Sequence, residues 1–200
     1  MVARSFDTTD AGVQAVGEVD QTQLRSDGLG IRYRLEVVTP SVLEVVADAG
    51  GWLFDRVMAG WDVTVCIADN ADTRPLRILG TQTLGLDHAF VSLDDRPRPH
   101  ALAVATDLLG SDLRARQRLL KDLDHSLTEV TLWGEVRSAE FTARTDSVEH
   151  RLSDAARVFK AHALAAAGAP DASVGCTETF RSRLVGCPSV ADLVPASGQL

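Results

Sequence analysis

Two short apolar runs, residues 31–38 and 62–68, flank a segment whose apolar positions keep a different period. In that middle segment Val42, Val45, Val46, Ala49, Leu53 and Val57 fall at i, i+3, i+4, i+7, i+11 and i+15, one continuous helical stripe, with Glu44, Asp48 and Asp55 away from it. Strand, helix, strand is one βαβ unit, and it predicts a parallel sheet with helices packed on it. Ser41 and Glu44 have the S-x-x-E spacing of a capping box, and Thr39 with Pro40 offers an alternative, earlier cap. Gly60 is placed to end the helix as a left-handed cap. Gly50 and Gly51 lie inside it at a cost of roughly 1 kcal/mol each relative to alanine, which predicts a kink or a close backbone approach.

The alternation continues downstream. Residues 72–80 read as a short helix starting near Asp72, with Pro75 in its first turn and Gly80 as its stop; the rival is a strand over 76–79, which the short linker would make antiparallel. Residues 81–86, 101–106 and 129–133 read as further strands, and 88–99 as an irregular loop. Ser111 is read as the cap of a helix running to about 126, with Leu113, Leu120, Leu123 and Leu127 inward and Arg114, Arg118 and Lys121 solvated. Residues 148–167 read as a helix with Leu152, Ala155, Phe159, Ala163 and Ala166 on its inner face, stopped by Gly168 and Pro170. The expected fold is α/β: a mostly parallel, doubly wound sheet, Rossmann-like or flavodoxin-like, of about five strands with helices on both faces. Residues 1–30 are expected to form an N-terminal arm, 31–170 the α/β domain, and 171–200 a C-terminal appendage that folds back on it with room for one more strand.

Composition narrows the functional classes. The 200 residues carry a net charge of -8, which disfavours a protein whose main work is neutralising phosphates, so nucleic acid is not expected as a partner. The basic residues are arginines except Lys121 and Lys160, a bias that GC-rich coding explains as well as anion recognition does. Cys66, Cys176 and Cys187 are odd in number and lack C-x-x-C spacing, as in a reduced cytosolic protein. The first residues lack the apolar run of a signal peptide, and no stretch reaches membrane-spanning length. The expected location is the cytoplasm, with no membrane partner.

Motifs are conspicuous by failing. Gly28 and Gly30 precede a strand rather than open a helix, so they do not make a dinucleotide fingerprint. There is no Walker A run, no G-x-S-x-G elbow and no H-E-x-x-H. The five histidines, His88, His100, His125, His150 and His162, show no i, i+4 pairing, so no metal or other cofactor is expected. The first strand runs into Thr39-Pro40-Ser41 in place of the acidic residues a receiver or a haloacid-dehalogenase-like enzyme needs.

What remains is positional. In a parallel sheet ligands sit beyond the carboxyl ends of the strands. Thr39, Ser41, Asp69, Asp72, Thr106 and Asp107, with Glu135, fall at such ends and are the candidate ligand-binding residues. Ser41 beside the backbone N–H groups of a helix start suits a phosphate or carboxylate, and Asp69 with Asp107 suits a ribose hydroxyl or a hard cation. The same residues read equally as caps and turns. Trp52, Trp61 and Trp133 are expected to be buried against the sheet. With no catalytic signature present, the expected function is a non-catalytic regulatory or protein-interaction domain, with a protein partner or a second copy of the chain. The alternative is an enzyme or binder for a small phosphorylated or nucleotide-like ligand at the strand edge.

Overall fold

The computed structural model describes residues 32–67, 72–90, 98–124, 127–136, 138–183 and 192–196. The N-terminal arm, Asp69, His125 and Cys187 lie outside the described residues. The described residues from Tyr33 onward belong to one compact unit.

The βαβ reading holds. Strand β1 (Arg34–Val38) leads through helix α1 (Val42–Met58) to β2 (Asp62–Ile67), which pairs parallel with β1 from Arg34↔Asp62 to Val38↔Cys66. Helix α1 starts where its cap predicts: Ser41 Oγ accepts the Glu44 N–H at 3.3 Å. The Ser41 N–H donates to Thr39 Oγ1 at 3.4 Å, so a threonine takes the part that the glutamate of a capping box would play. Gly60 ends the helix at φ +89. Helix α2 (Arg74–Ile78) settles the ambiguous segment as helical, with Pro75 in its first turn and Gly80 at φ +80 after it. Then β3 (Gln82–Gly85) pairs parallel with β2.

Next comes a 3-10 turn (Leu86–Ala89), followed by β4 (Ala101–Ala105), α3 (Thr106–Ser111), α4 (Leu113–Asp124) and β5 (Glu129–Trp133). Strand β4 lies parallel between β1 and β5. The chain closes with α5 (Ala139–Thr142), β6 (Asp146–Arg151), α6 (Asp154–Ala166), β7 (Thr177–Arg183) and β8 (Val194–Pro195). The sheet order is β3-β2-β1-β4-β5-β7-β6-β8. Among the described residues it therefore has eight strands, where the sequence predicts about five. The first five in chain order are the parallel ones; β7, wedged between β5 and β6, is antiparallel to both, and β8 pairs antiparallel with β6.

Side chains alternate between two cores. Leu35, Val37, Val63 and Val65 pack with Val45, Ala49 and Leu53 of α1, Leu76 of α2, and Ala156 and Ala163 of α6. Val38, Cys66, Val104 and Leu132 pack on the opposite face with Leu119 and Leu123 of α4 and Phe141 of α5. Trp52 and Trp133 are fully buried, and the half-buried Trp61 stacks on Tyr33 with the Arg56 guanidinium 4.0 Å from its ring.

Two helix readings need correction. Within 148–167 the first residues form β6, because Val148 and His150 are buried while Ser147 and Arg151 are exposed, a period of two. The helix begins only at Asp154, capped by Ser153 Oγ on the Ala156 N–H at 3.0 Å, and its inner face is Ala156, Lys160, Ala163 and Leu164. Ser111 ends α3, and Asp112 caps α4 by accepting the Arg114 N–H at 2.8 Å. Leu113 and Leu127 are 74% and 77% exposed, whereas Arg118 is buried. Arg118 faces inward because Glu36, central in β1, needs a counter-charge: the pair is 2.6 Å apart, and Arg118 also donates to the Ala89 carbonyl.

The glycine pair in α1 marks a close approach, and the two members differ. A Cβ on Gly51 would lie 2.2 Å from Leu152 Cδ2 and 2.5 Å from its Cγ, whereas one on Gly50 meets nothing nearer than 3.4 Å. Gly51→Ala is expected to lower stability by about 1–3 kcal/mol through overpacking. Gly50→Ala should be neutral or stabilising by up to about 1 kcal/mol through helix propensity. Urea melts of the two variants check this; equal effects would refute the asymmetry.

Candidate active site

The strand order reverses at β1, which pairs with β2 on one side and β4 on the other. Chain crossovers diverge there, leaving a crevice beyond the carboxyl ends of β1 and β4. The backbone delivers Thr39 and Ser41 to one lip and Thr106 and Asp107 to the other.

On the β1 lip the hydroxyls serve the turn. Thr39 is fully buried, and its Oγ1 donates to the Ser41 carbonyl at 3.1 Å. Ser41 Oγ is the α1 cap. The chemically informative group here is Glu44, one turn into α1. Its carboxyl is held above the ordinary glutamate range by burial first, then by the charges of Asp107 and Asp48. Asp48, one turn further along α1, is raised too, by desolvation; Lys160 opposes that rise and Asp107 adds to it.

On the β4 lip Thr106 and Asp107 open α3 and line a cavity of about 320 Å³ together with Arg116, Glu135, Val136 and Phe141. Arg116 is tied to Glu140 at 3.0 Å, and its guanidinium lies 5.9 Å from the Phe141 ring centre. Gly134, at φ +85, crosses so close to Thr106 that a Cβ would lie 2.7 Å from the Thr106 hydroxyl. Asp107 belongs both to the cavity wall and to the electrostatic cluster with Glu44 and Asp48.

Of the candidate residues, then, the topology brings Thr39 and Ser41 opposite Thr106 and Asp107. Asp72 does not line this cavity: it pairs with Arg74 at 2.6 Å, and that hydrogen bond holds its carboxyl below the usual range. Asp69 lies outside the described residues. Glu44 was legible only as a capping residue, and Arg116, Gly134 and Phe141 carried no signal at all, because their role depends on how α3, α4 and the segment after β5 pack. Among the described residues no group of three His, Cys, Asp or Glu side chains is placed to hold a metal ion.

No protein-family model and no curated protein sequence matches the chain. Solved structures do match by shape. A deacetylase triple mutant (Orf2*T) of the teicoplanin biosynthetic pathway superposes with a TM-score of 0.55 at 12% identity, covering 74% of this chain and 97% of that one. The A40926 pseudoaglycone deacetylase Dbv21 gives 0.50 at 14% identity over 78% of this chain and 100% of its own. A deacetylase–teicoplanin complex gives 0.50 at 13% identity, over 74% and 97%. The chain has the fold of these deacetylases.

That finding corrects the functional expectation. The solved structures sharing this fold are enzymes, which overturns the reading of a non-catalytic regulatory or interaction domain. The phosphorylated or nucleotide-like ligand goes with it, and there is a physical reason. The strand edge carries the carboxyls of Glu44, Asp48 and Asp107, a setting of like charges that disfavours an anionic ligand. No helix among the described residues is long and apolar enough to cross a membrane.

The raised Glu44 carboxyl has a stability consequence. A carboxyl whose pKa is higher in the folded than in the unfolded chain favours the folded state only while protonated, and that contribution is lost as pH rises from about 4 upward. Glu44→Gln should therefore be more stable than the parent at neutral pH, with the difference closing below pH ~4. Thermal melts across pH test it, and a constant difference at all pH values would contradict it.

Proposed function

We propose that this chain hydrolyses the amide of a small N-acylated molecule in the crevice between β1 and β4, using Asp107 and Glu44 as a carboxylate pair. The observation that carries the reading is that Asp107 is shared: it lines the 320 Å³ cavity and also acts on the Glu44 carboxyl. The fold likeness to deacetylases and the position at the strand-order reversal support it.

Amide hydrolysis needs a base to take a proton from water as its oxygen attacks the carbonyl carbon. It also needs an acid to protonate the nitrogen as the C–N bond breaks. Asp107, in the cavity wall, is assigned the first role. Glu44 keeps its proton to higher pH than an ordinary glutamate and is assigned the second. Thr39 and Ser41 hold the turn that presents Glu44, and Thr106 with Gly134 shapes the floor beside Asp107. The apolar wall of Val136 and Phe141 suits the acyl group. Within this proposal the partner is a small molecule, the location is the cytoplasm, and residues 31–170 form the working domain whose sheet the remainder extends.

The test is incubation of the full chain with N-acetylglucosamine and with an N-acetylated glycopeptide, following amine release by mass spectrometry. Turnover is expected, with Asp107→Asn lowering kcat by about 10²–10⁴-fold. No release and no binding of either compound would overturn the reading, as would full activity in Asp107→Asn.

A further inference from the structure

Halfway along α1 a second chain segment is built into the helix. The Glu178 carboxylate, from β7, accepts the Gly51 N–H on Oε1 and the Trp52 N–H on Oε2, both at 2.8 Å. Lys160 Nζ, from α6, donates to the Ala47 carbonyl at 2.5 Å and to Glu178 Oε1 at 2.6 Å. Ala47 is the residue whose carbonyl a regular α-helix offers to the Gly51 N–H. A buried ion pair thus engages both ends of one rung of the helix ladder, with Lys160 and Glu178 each 5% exposed. Leu152 fills the notch that Gly51 leaves open.

This rung divides α1 into unequal halves. The half beyond it is tied to the body by side chains: Trp52 Nε1 donates to Asp192 at 3.0 Å, Asp55 binds Ser153 Oγ at 2.6 Å and His150 at 2.8 Å, and Arg56 reaches Glu129 at 3.1 Å. The half before it carries Ser41, Glu44 and Asp48 to the crevice. Gly50 and Gly51 sit at the division and bring no side chains of their own, so Leu152 and Glu178 can close directly on the helix backbone.

We infer that Lys160 and Glu178 are positioning residues, a pin through α1 that sets its Glu44-bearing half against Asp107. The inference rests on the proposed roles of Glu44 and Asp107 for its functional meaning, but its geometry stands on the pin alone. Neither residue reaches the substrate cavity; they act through the helix backbone. The ion pair suits this place better than an apolar pair because the Glu178 carboxylate takes the amides of Gly51 and Trp52 while Lys160 takes the Ala47 carbonyl, and a buried carboxylate needs the ammonium as counter-charge.

The test uses the full chain carrying Lys160→Met with Glu178→Gln, which keeps an acceptor for the amides and leaves no uncompensated charge. Amides 46–49 are expected to exchange hydrogen at least tenfold faster than in the parent, with amides 53–58 unchanged. The Glu44 carboxyl, followed by 13C NMR, should titrate nearer the ordinary glutamate range as it loses its burial and withdraws from Asp107. Equal acceleration in both halves, or an unmoved Glu44 titration, would overturn the inference. Should the double variant fail to fold, Lys160→Arg is measured in the same way and judged by the same two outcomes. Both readouts need no substrate, so absence of amide hydrolysis would remove the proposed reaction without touching this result.

Discussion

The reversal of strand order at β1 is the constraint on which the rest is built. Parallel pairing on both sides of one strand obliges the chain to cross over first one way and then the other. Because such crossovers share one hand, their helices land on opposite faces of the sheet. That is why α1 and α2 close one core while α4 and α5 close the other, and why the carboxyl ends of β1 and β4 are left with neither helix between them. The crevice is the unavoidable gap in a doubly wound sheet, and the residues following β1 and β4 are in it by topology.

Charge placement follows from the same geometry. A helix start at such a gap brings its first-turn side chains to the opening, and here these include Glu44, with Asp48 one turn behind. Across the gap α3 contributes Asp107. Burial first, and then the like charges of Asp107 and Asp48, raise the Glu44 carboxyl, and the same charges disfavour an anionic ligand at the mouth. Away from the mouth the buried charges are paired. Glu36 meets Arg118 and Glu178 meets Lys160, each in a setting where an isolated charge would be prohibitive.

The antiparallel end of the sheet adds something a bare doubly wound body lacks. Strand β7 returns from beyond α6 to lie against β5, and in doing so it carries Glu178 into the middle of α1. Residues near the C-terminal end of the chain are thereby linked to a helix whose first turn lies at the crevice. The deacetylases that share the fold do so at 12–14% identity, a level at which shape is shared and individual side chains are not.

Much was legible in the chain by itself: the βαβ unit, the start of α1 at Ser41, the helix-ending glycines 60, 80 and 168, and the buried strands, because each depends on neighbours within a few residues. The lip residues Thr39, Ser41, Thr106 and Asp107 were legible for the same reason, since a strand end is a local event. Local pattern misled where a distant partner overrode it. Arg118 turns inward for Glu36, 82 positions away in the chain, and Leu113 on the same helix is left in solvent, as is Leu127 beyond the helix end. Residues 146–151 extend because β7 and β8 pair with them. The electrostatic influence of Asp107 on Glu44, and the capture of α1 by Lys160 and Glu178, were decided by tertiary structure alone. Hydrophobic period and caps act within a turn or a strand, whereas electrostatic coupling and buried hydrogen bonds join residues that meet only once the layers have packed.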